Sequence, residues 1–225
     1  MRHAPRPRST RAALLAAGLV GLCAARAARA EDAEAAGGTR IAYSHKGQMG
    51  VHSQLGLGYR VLFPYDNSTN AKYCGASEPN GIYKSVCTGR SPVFLEIGLS
   101  YGLTRKLEAV VDARLGVETD FKAATATSGD RPRALVLAPG VKVYIDDEGS
   151  SKFFSTLQVA FDFTDFSANP GIEKGTDVGI RNVNGFQIDF HRTFGAYVHF
   201  GETISFVRWL RFEIDAGLGI QGRFP

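Results

Sequence analysis

The 225-residue chain is poor in several things that usually announce a chemistry: it has one Trp, two Met, three Cys and five His. So few Cys and His, with none paired at zinc-ligand spacing, point away from a structural metal site and from a disulfide-dense scaffold. The chain also lacks a long hydrophobic run. The apolar stretch at residues 12–25, AALLAAGLVGLCAA, falls short of the roughly 20 residues that a membrane-spanning helix needs. With 44% hydrophobic residues and a mean hydropathy of −0.10, a helical-bundle membrane protein is excluded. A true charge bias is missing too. The formal net charge is +4, but residues 1–30 hold six arginines and no acid. The remainder sets 20 basic against 22 acidic side chains, a net of −2, so the basic pI implies no nucleic-acid partner.

What is present is Gly (26 residues), Phe (15), Tyr (8) and a strict period of two. Residues 107–121, LEAVVDARLGVETDF, show it best. Leu107, Ala109, Val111, Ala113, Leu115, Val117 and Phe121 share one face; Glu108, Asp112, Arg114, Glu118 and Asp120 share the other, with Val110 its one large apolar member. A period of two over this length is a strand with unlike faces; a helix would scatter the charges. Soluble strands average about 5–6 residues, while a strand crossing a bilayer needs about 9–11. The stretch therefore fits a wall between lipid and a polar lumen, with a long strand of a soluble sandwich as the alternative.

Residues 1–30 read as a cleaved secretory signal peptide: an Arg-rich start, a short apolar core, and Ala28-Arg29-Ala30 as the small-x-small cleavage pattern. Residues 31–48 read as a polar N-terminal linker in the periplasm, part of which extends the first strand. Residues 49–225 form the domain proper. Alternation predicts strands at 49–63, 93–103, 107–121, 134–145 and 152–164, a pair near 185–191 and 194–200, and a last strand at 211–224. Pro139 in the fourth removes a ladder hydrogen bond and predicts a bulge. The sixth and seventh strands are joined at His191-Arg192-Thr193, with Val207-Arg208-Trp209 as the competing turn. The connections alternate long and short. This reads as an all-β, eight-stranded antiparallel up-and-down barrel, with ten strands if another pair is hidden in the N-terminal segment or the last loop.

The leader, the alternating strands, the loop asymmetry and a C-terminal amphipathic strand ending in Phe224 together resemble the small eight-stranded outer-membrane β-barrel proteins of Gram-negative bacteria. The resemblance covers residues 49–225 and is architectural. It implies location in the outer membrane, contact with the lipid bilayer and lipopolysaccharide, and insertion by the barrel-assembly machinery, for which Phe224 is the assembly signal; here Pro225 follows it. Some barrels of this kind deacylate lipid A with a His and a Ser. The His-x-Ser pattern is absent here and His191-Arg192-Thr193 replaces it poorly, so no catalytic residues and no cofactor are expected. Aromatics near strand ends (Phe63, Tyr65, Tyr101, Phe121, Phe166, Trp209, Phe224) fit interfacial girdles.

Cys74 and Cys87 are the only cysteines left after cleavage, both in the first long loop. In an exported protein a disulfide is the default, and its short closed loop is worth roughly 3 kcal/mol. The inward parity gives a lumen charge network of Arg60, Glu96, Glu108, Asp112, Arg114, Glu118, Asp120, Lys142, Asp162, Asp189, Glu213 and Asp215. Acids exceed bases in that set. One reading is side-chain filling of a narrow barrel. The other is a narrow channel for ions, cations preferred, or for small hydrophobic solutes. A soluble lipocalin-like binding barrel would need the two faces inverted. The favoured function is a non-enzymatic structural or surface-interaction role through the external loops, whose ligand the sequence leaves unknown.

Overall fold

Period-two alternation dominates from residue 49 onward, and each such run becomes one strand of a single closed sheet. A computed structural model describes residues 44–63, 65, 86–118, 133–145, 149–164 and 176–225. The strands are β1 (Met49–Phe63), β2 (Cys87–Gly102), β3 (Leu107–Gly116), β4 (Leu135–Tyr144), β5 (Ser151–Asp162), β6 (Asp177–His191), β7 (Phe194–Ser205) and β8 (Leu210–Phe224). They close in sequence order into an antiparallel barrel of eight. Where β8 meets β1, glycines take the place of side chains: a Cβ at Gly56 would stand 3.0 Å from the Ala216 carbonyl oxygen. The β6–β7 turn falls at residues 192–193 and the competing segment, 206–209, connects β7 to β8. No helix among the described residues is long and apolar enough to cross a membrane.

The faces are sorted by polarity, opposite to a soluble barrel. Outward positions carry Leu99, Leu115, Leu157, Val198 and Leu218, all between 42% and 67% exposed. Inward positions carry Glu96, Glu108, Arg181, Gln187 and Arg223, all at 2% or less. The lipocalin-like inversion, apolar inside and polar outside, is not the arrangement this chain adopts.

Several boundaries differ from the sequence expectation, each for a local reason. Strand β2 begins at Cys87, not residue 93, because its phase breaks at a bulge. Gly56 pairs with Phe94 and Gly58 with Ser91, so Pro92 and Val93 together face Leu57. Pro92 has no amide to offer a ladder, and the extra residue flips the parity of 87–91. Strand β3 ends at Gly116, and residues 119–132 lie outside those described. Strand β6 begins at Asp177, well before the run at 186, because its outward positions 182 and 184 are Asn and hide the apolar face.

Pro139 produces no bulge. The β4–β5 register is the same on both sides of it, Leu137 with Phe161 and Gly140 with Gln158; only the pairing at 138–139 lapses. The Gln158 side chain donates to the buried Ala138 carbonyl at 2.9 Å, satisfying an acceptor where that pairing lapses. Trp209 is 1% exposed and so belongs to no girdle, while Tyr101 and Tyr65 stand outward and the Tyr65 hydroxyl donates to the Phe206 carbonyl at 2.7 Å. Phe121 and Phe166 lie outside the described residues.

Candidate functional site

The interior of the barrel is where the chain concentrates its polar chemistry. An eight-stranded barrel is about wide enough for side chains to fill it, and these do so in layers.

Next to the short turns, the segment before β1 folds back into the barrel mouth. Gly47 takes a left-handed φ of 78°, which a glycine adopts without Cβ strain. Its N–H donates to the Gly102 carbonyl at 2.8 Å, and the Gly102 N–H donates to Gln48 at 3.0 Å. This carries His45 inward, 3% exposed, with Nδ1 2.9 Å from Glu108 and Nε2 3.1 Å from both Asp189 and the Lys152 amine. Lys152 pairs with Asp189 at 3.0 Å and Arg223 with Glu108 at 2.7 Å.

Above this lies the apolar patch of the lumen, Tyr144, Phe154, Val183 and Tyr197. The Lys142 amine sits among its rings, 4.0 Å from the Phe154 centroid and 5.1 and 5.4 Å from Tyr144 and Tyr197. Three ring faces around one ammonium give it cation–π partners in place of water. Beside it His52 meets Asp112 at 2.7 Å, and Gln158 donates to the other Asp112 oxygen at 2.6 Å.

The next layer turns on Arg114. Its Nε donates to Glu96 at 3.0 Å, Nη1 to Glu213 at 3.0 Å and Nη2 to Asp215 at 2.9 Å, while the guanidinium lies 3.7 Å over the Phe94 ring. Glu96 also receives Arg181 and the Gln54 amide, and Asp215 receives His199 at 3.2 Å. Nearest the long loops, Arg211 pairs with Asp162 at 2.8 Å and with Ser205 at 3.0 Å. Asp177, fully buried, accepts the backbone N–H groups of Val178, Val207 and Arg208 and so locks the β7–β8 connection.

Of the sequence-predicted lumen residues, Arg60, Glu96, Glu108, Asp112, Arg114, Lys142, Asp162, Asp189, Glu213 and Asp215 are buried. Glu118 is not among them. It follows the end of β3, its side chain is 40% exposed, and it serves the Pro92 bulge instead. The Val93 amide donates to it at 3.3 Å and Arg90 at 2.8 Å; that amide first, then Arg90, hold its carboxyl below the usual range. Asp120 and Cys74 lie outside the described residues, as does the side chain of Cys87, so the predicted disulfide does too. Phe224 is the last residue of β8.

The excess of acid does not survive the full placement. Lys152, Arg181, Arg208, Arg211 and Arg223 are buried as well, and the described interior holds eight Asp or Glu against eight Lys or Arg. Their signal was in the sequence: each has the inward parity of its strand or lies just outside a boundary set too short. Six of the eight carboxylates meet a Lys or Arg, Asp112 meets His52, and Asp177 is held by backbone amides.

The interior cavities flanking Arg114 and Lys142 measure about 50 and 20 Å3, room for a few waters. No group of three or more His, Cys, Asp or Glu among the described residues is placed to hold a metal ion. In the β6–β7 turn, His191 Nδ1 stands 2.9 Å from the Thr193 hydroxyl but also accepts the Thr193 backbone N–H at 3.3 Å, the geometry of turn closure.

No family model matches the chain, and no curated protein matches it in sequence. Among solved structures it is similar to the N-terminal β-barrel domain of Pseudomonas aeruginosa OprF, with a TM-score of 0.50 at 10% identity over 80% of this chain and 98% of that one. It is similar also to Neisserial surface protein A, with a TM-score of 0.52 at 10% identity over 79% and 99% of the two chains. At such identity the likeness is one of backbone: this chain has the fold of the small eight-stranded outer-membrane β-barrels.

Proposed function

We propose that the protein is exported by its leader, inserted by the barrel-assembly machinery with Phe224 as signal, and anchored in the outer membrane between the lipid bilayer and lipopolysaccharide. It acts there without catalysis, as a structural or surface-interaction protein whose long loops meet the exterior. The external ligand is undefined. A Cys74–Cys87 disulfide would stiffen the first of those loops. One observation carries the reading: the wall is predominantly apolar outward around the described strands, while all but one of the strand carboxylates lie inside. The apolar part of such a wall is at home in lipid, whereas in water it would be an exposed apolar surface far beyond that of a soluble monomer. What supports an anchor over the narrow channel is the interior itself, balanced in charge and filled by paired side chains.

The test is electrophoretic mobility of the refolded chain, unboiled against boiled, followed by planar-bilayer conductance. A heat-dependent band shift with no stable conductance is the expected result. A chain that folds in plain buffer without a shift would end the membrane reading, and steady ion-selective steps would replace the anchor by the channel.

A further inference from the structure

One part of the outward wall breaks its own rule. Positions 182 and 184 of β6 and 202 of β7 face outward, by the same parity as Ile180 and Ile204. They carry Asn182, Asn184 and Glu202. Asn182 pairs across the sheet with Glu202, and Asn184 with Ser155 of β5, which faces outward too. The four form one polar patch across three strands. Among the described strands, Glu202 is the one carboxylate on the outward face.

The patch is not an interfacial rim. Beyond it, toward the long loops, the wall is apolar again at Ile180, Ile204 and Phe206. Toward the short turns it is apolar at Phe200 and Val198. A carboxylate at this level of a lipid-facing wall is unfavourable, and polar groups inside a membrane normally face a partner. Within the chain the patch is only half satisfied. Asn184 donates its amide to Asn182 Oδ1 at 2.8 Å. The Asn182 amide, the Asn184 carbonyl and the Glu202 carboxylate have no hydrogen-bond partner among the described residues. Donors and acceptors are thus left side by side.

We infer that this face of β5, β6 and β7 is where a second copy of the chain docks within the membrane; the inference rests on the membrane reading above. Two copies inserted in the same direction are related by a twofold axis along the membrane normal, which makes the interface self-complementary. An axis through β6 sets Glu202, on the β7 flank of one copy, against the β5 flank of the other. There the Ser155 hydroxyl, with the unpartnered Asn182 amide of the adjoining β6 seam, supplies the donors that the carboxylate needs. The surrounding Phe and Ile side chains pack as the apolar border. In lipid there is no hydrophobic drive to bring two apolar walls together, so polar pairs of this kind are what specify association.

The experiment is energy transfer between donor- and acceptor-labelled copies of the chain as exported, refolded into phosphatidylcholine vesicles over a range of protein-to-lipid ratios, with the heat-dependent band shift read on the same samples. Wild type is expected to self-associate. Glu202→Leu, which suits a lipid-facing site, is expected to keep the band shift and weaken association by at least about tenfold. Glu202→Gln, still able to hydrogen-bond, should lose less, and Leu99→Ala on the far wall should lose nothing. A heat-shifting wild type that stays monomeric overturns the inference while leaving the membrane reading intact, as does Glu202→Leu associating as tightly as wild type. A chain with no band shift overturns both.

Discussion

Replacing Arg114 by Ala tests whether the buried charges hold the barrel together or merely occupy it. Its guanidinium places one nitrogen on each of three carboxylates, Glu96, Glu213 and Asp215, at 2.9–3.0 Å, with 9% or less of any of the four side chains exposed. The loss falls unevenly. Glu96 keeps Arg181, and Asp215 keeps His199 with Arg181 at 3.7 Å. Glu213 loses the Arg114 guanidinium bonded to it at 3.0 Å. Removing one partner of a buried ion pair costs about 3–5 kcal/mol, chiefly through the charge left behind. Arg114→Ala should therefore destabilise the barrel by about that much, and Arg114→Met, which keeps the packing over Phe94, by slightly less. Restoring balance with Arg114→Met plus Glu213→Gln should recover part of the loss. The assay is urea unfolding in vesicles, followed by the fluorescence of Trp209, the single Trp and 1% exposed when folded. A shift under about 1 kcal/mol for Arg114→Ala would refute the reasoning, since exposed pairs lose no more than that.

Three further outcomes are expected. Leu115→Arg puts a cation on the outward face of β3 and should cost about 2–4 kcal/mol in vesicles; wild-type stability would mean that this face does not meet lipid. Gly102→Val drives a side chain into the His45 carbonyl and should free residues 44–48 at a cost of about 1–3 kcal/mol. The readout is tryptic cleavage after Lys46, and an unchanged rate would show that the segment stays docked. Maleimide should label Cys74 and Cys87 only after reduction; labelling of both in the untreated exported protein would remove the disulfide.

The architecture was legible because a barrel wall separates two solvents, and that separation writes itself at period two. Residues 107–116 display it without interruption, and so β3 could anchor the rest. Legibility failed where the wall departs from its own rule. Pro92 and Val93 insert a phase shift that no face-by-face reading of β2 can cross, and Glu118 was assigned to the lumen because parity was extended past the true end of β3 at Gly116. Asn182 and Asn184 concealed the first half of β6, and with it Arg181. The interior contacts were legible as a set of residues but not as pairs. Glu108 with Arg223, or Arg114 with Asp215, joins strands far apart in sequence, and their meeting depends on barrel closure, which alternation alone does not encode.

That pairing also decides what the interior can do. The carboxylates and cations do not line a path; they cross it. Reading from the short turns to the long loops, Glu108 with Arg223, Asp112 with His52, Arg114 with its three acids and Asp162 with Arg211 come in succession. The rings of Tyr144, Phe154 and Tyr197 close around Lys142 between the first and the third. An ion passing through would have to open these bonds layer by layer. Leaving one partner of such a buried pair uncompensated costs about 3–5 kcal/mol, so a path along the barrel has to be opened against several pairs in succession. On the proposed anchor reading, an interior crossed by such pairs stiffens the strand ends that lead into the long loops. Asp177, fastening the β7–β8 connection through three backbone amides, does the same work at the mouth. On that same reading, chemistry that meets the outside falls to the loops and to the wall, where Glu202 stands out against its apolar surroundings.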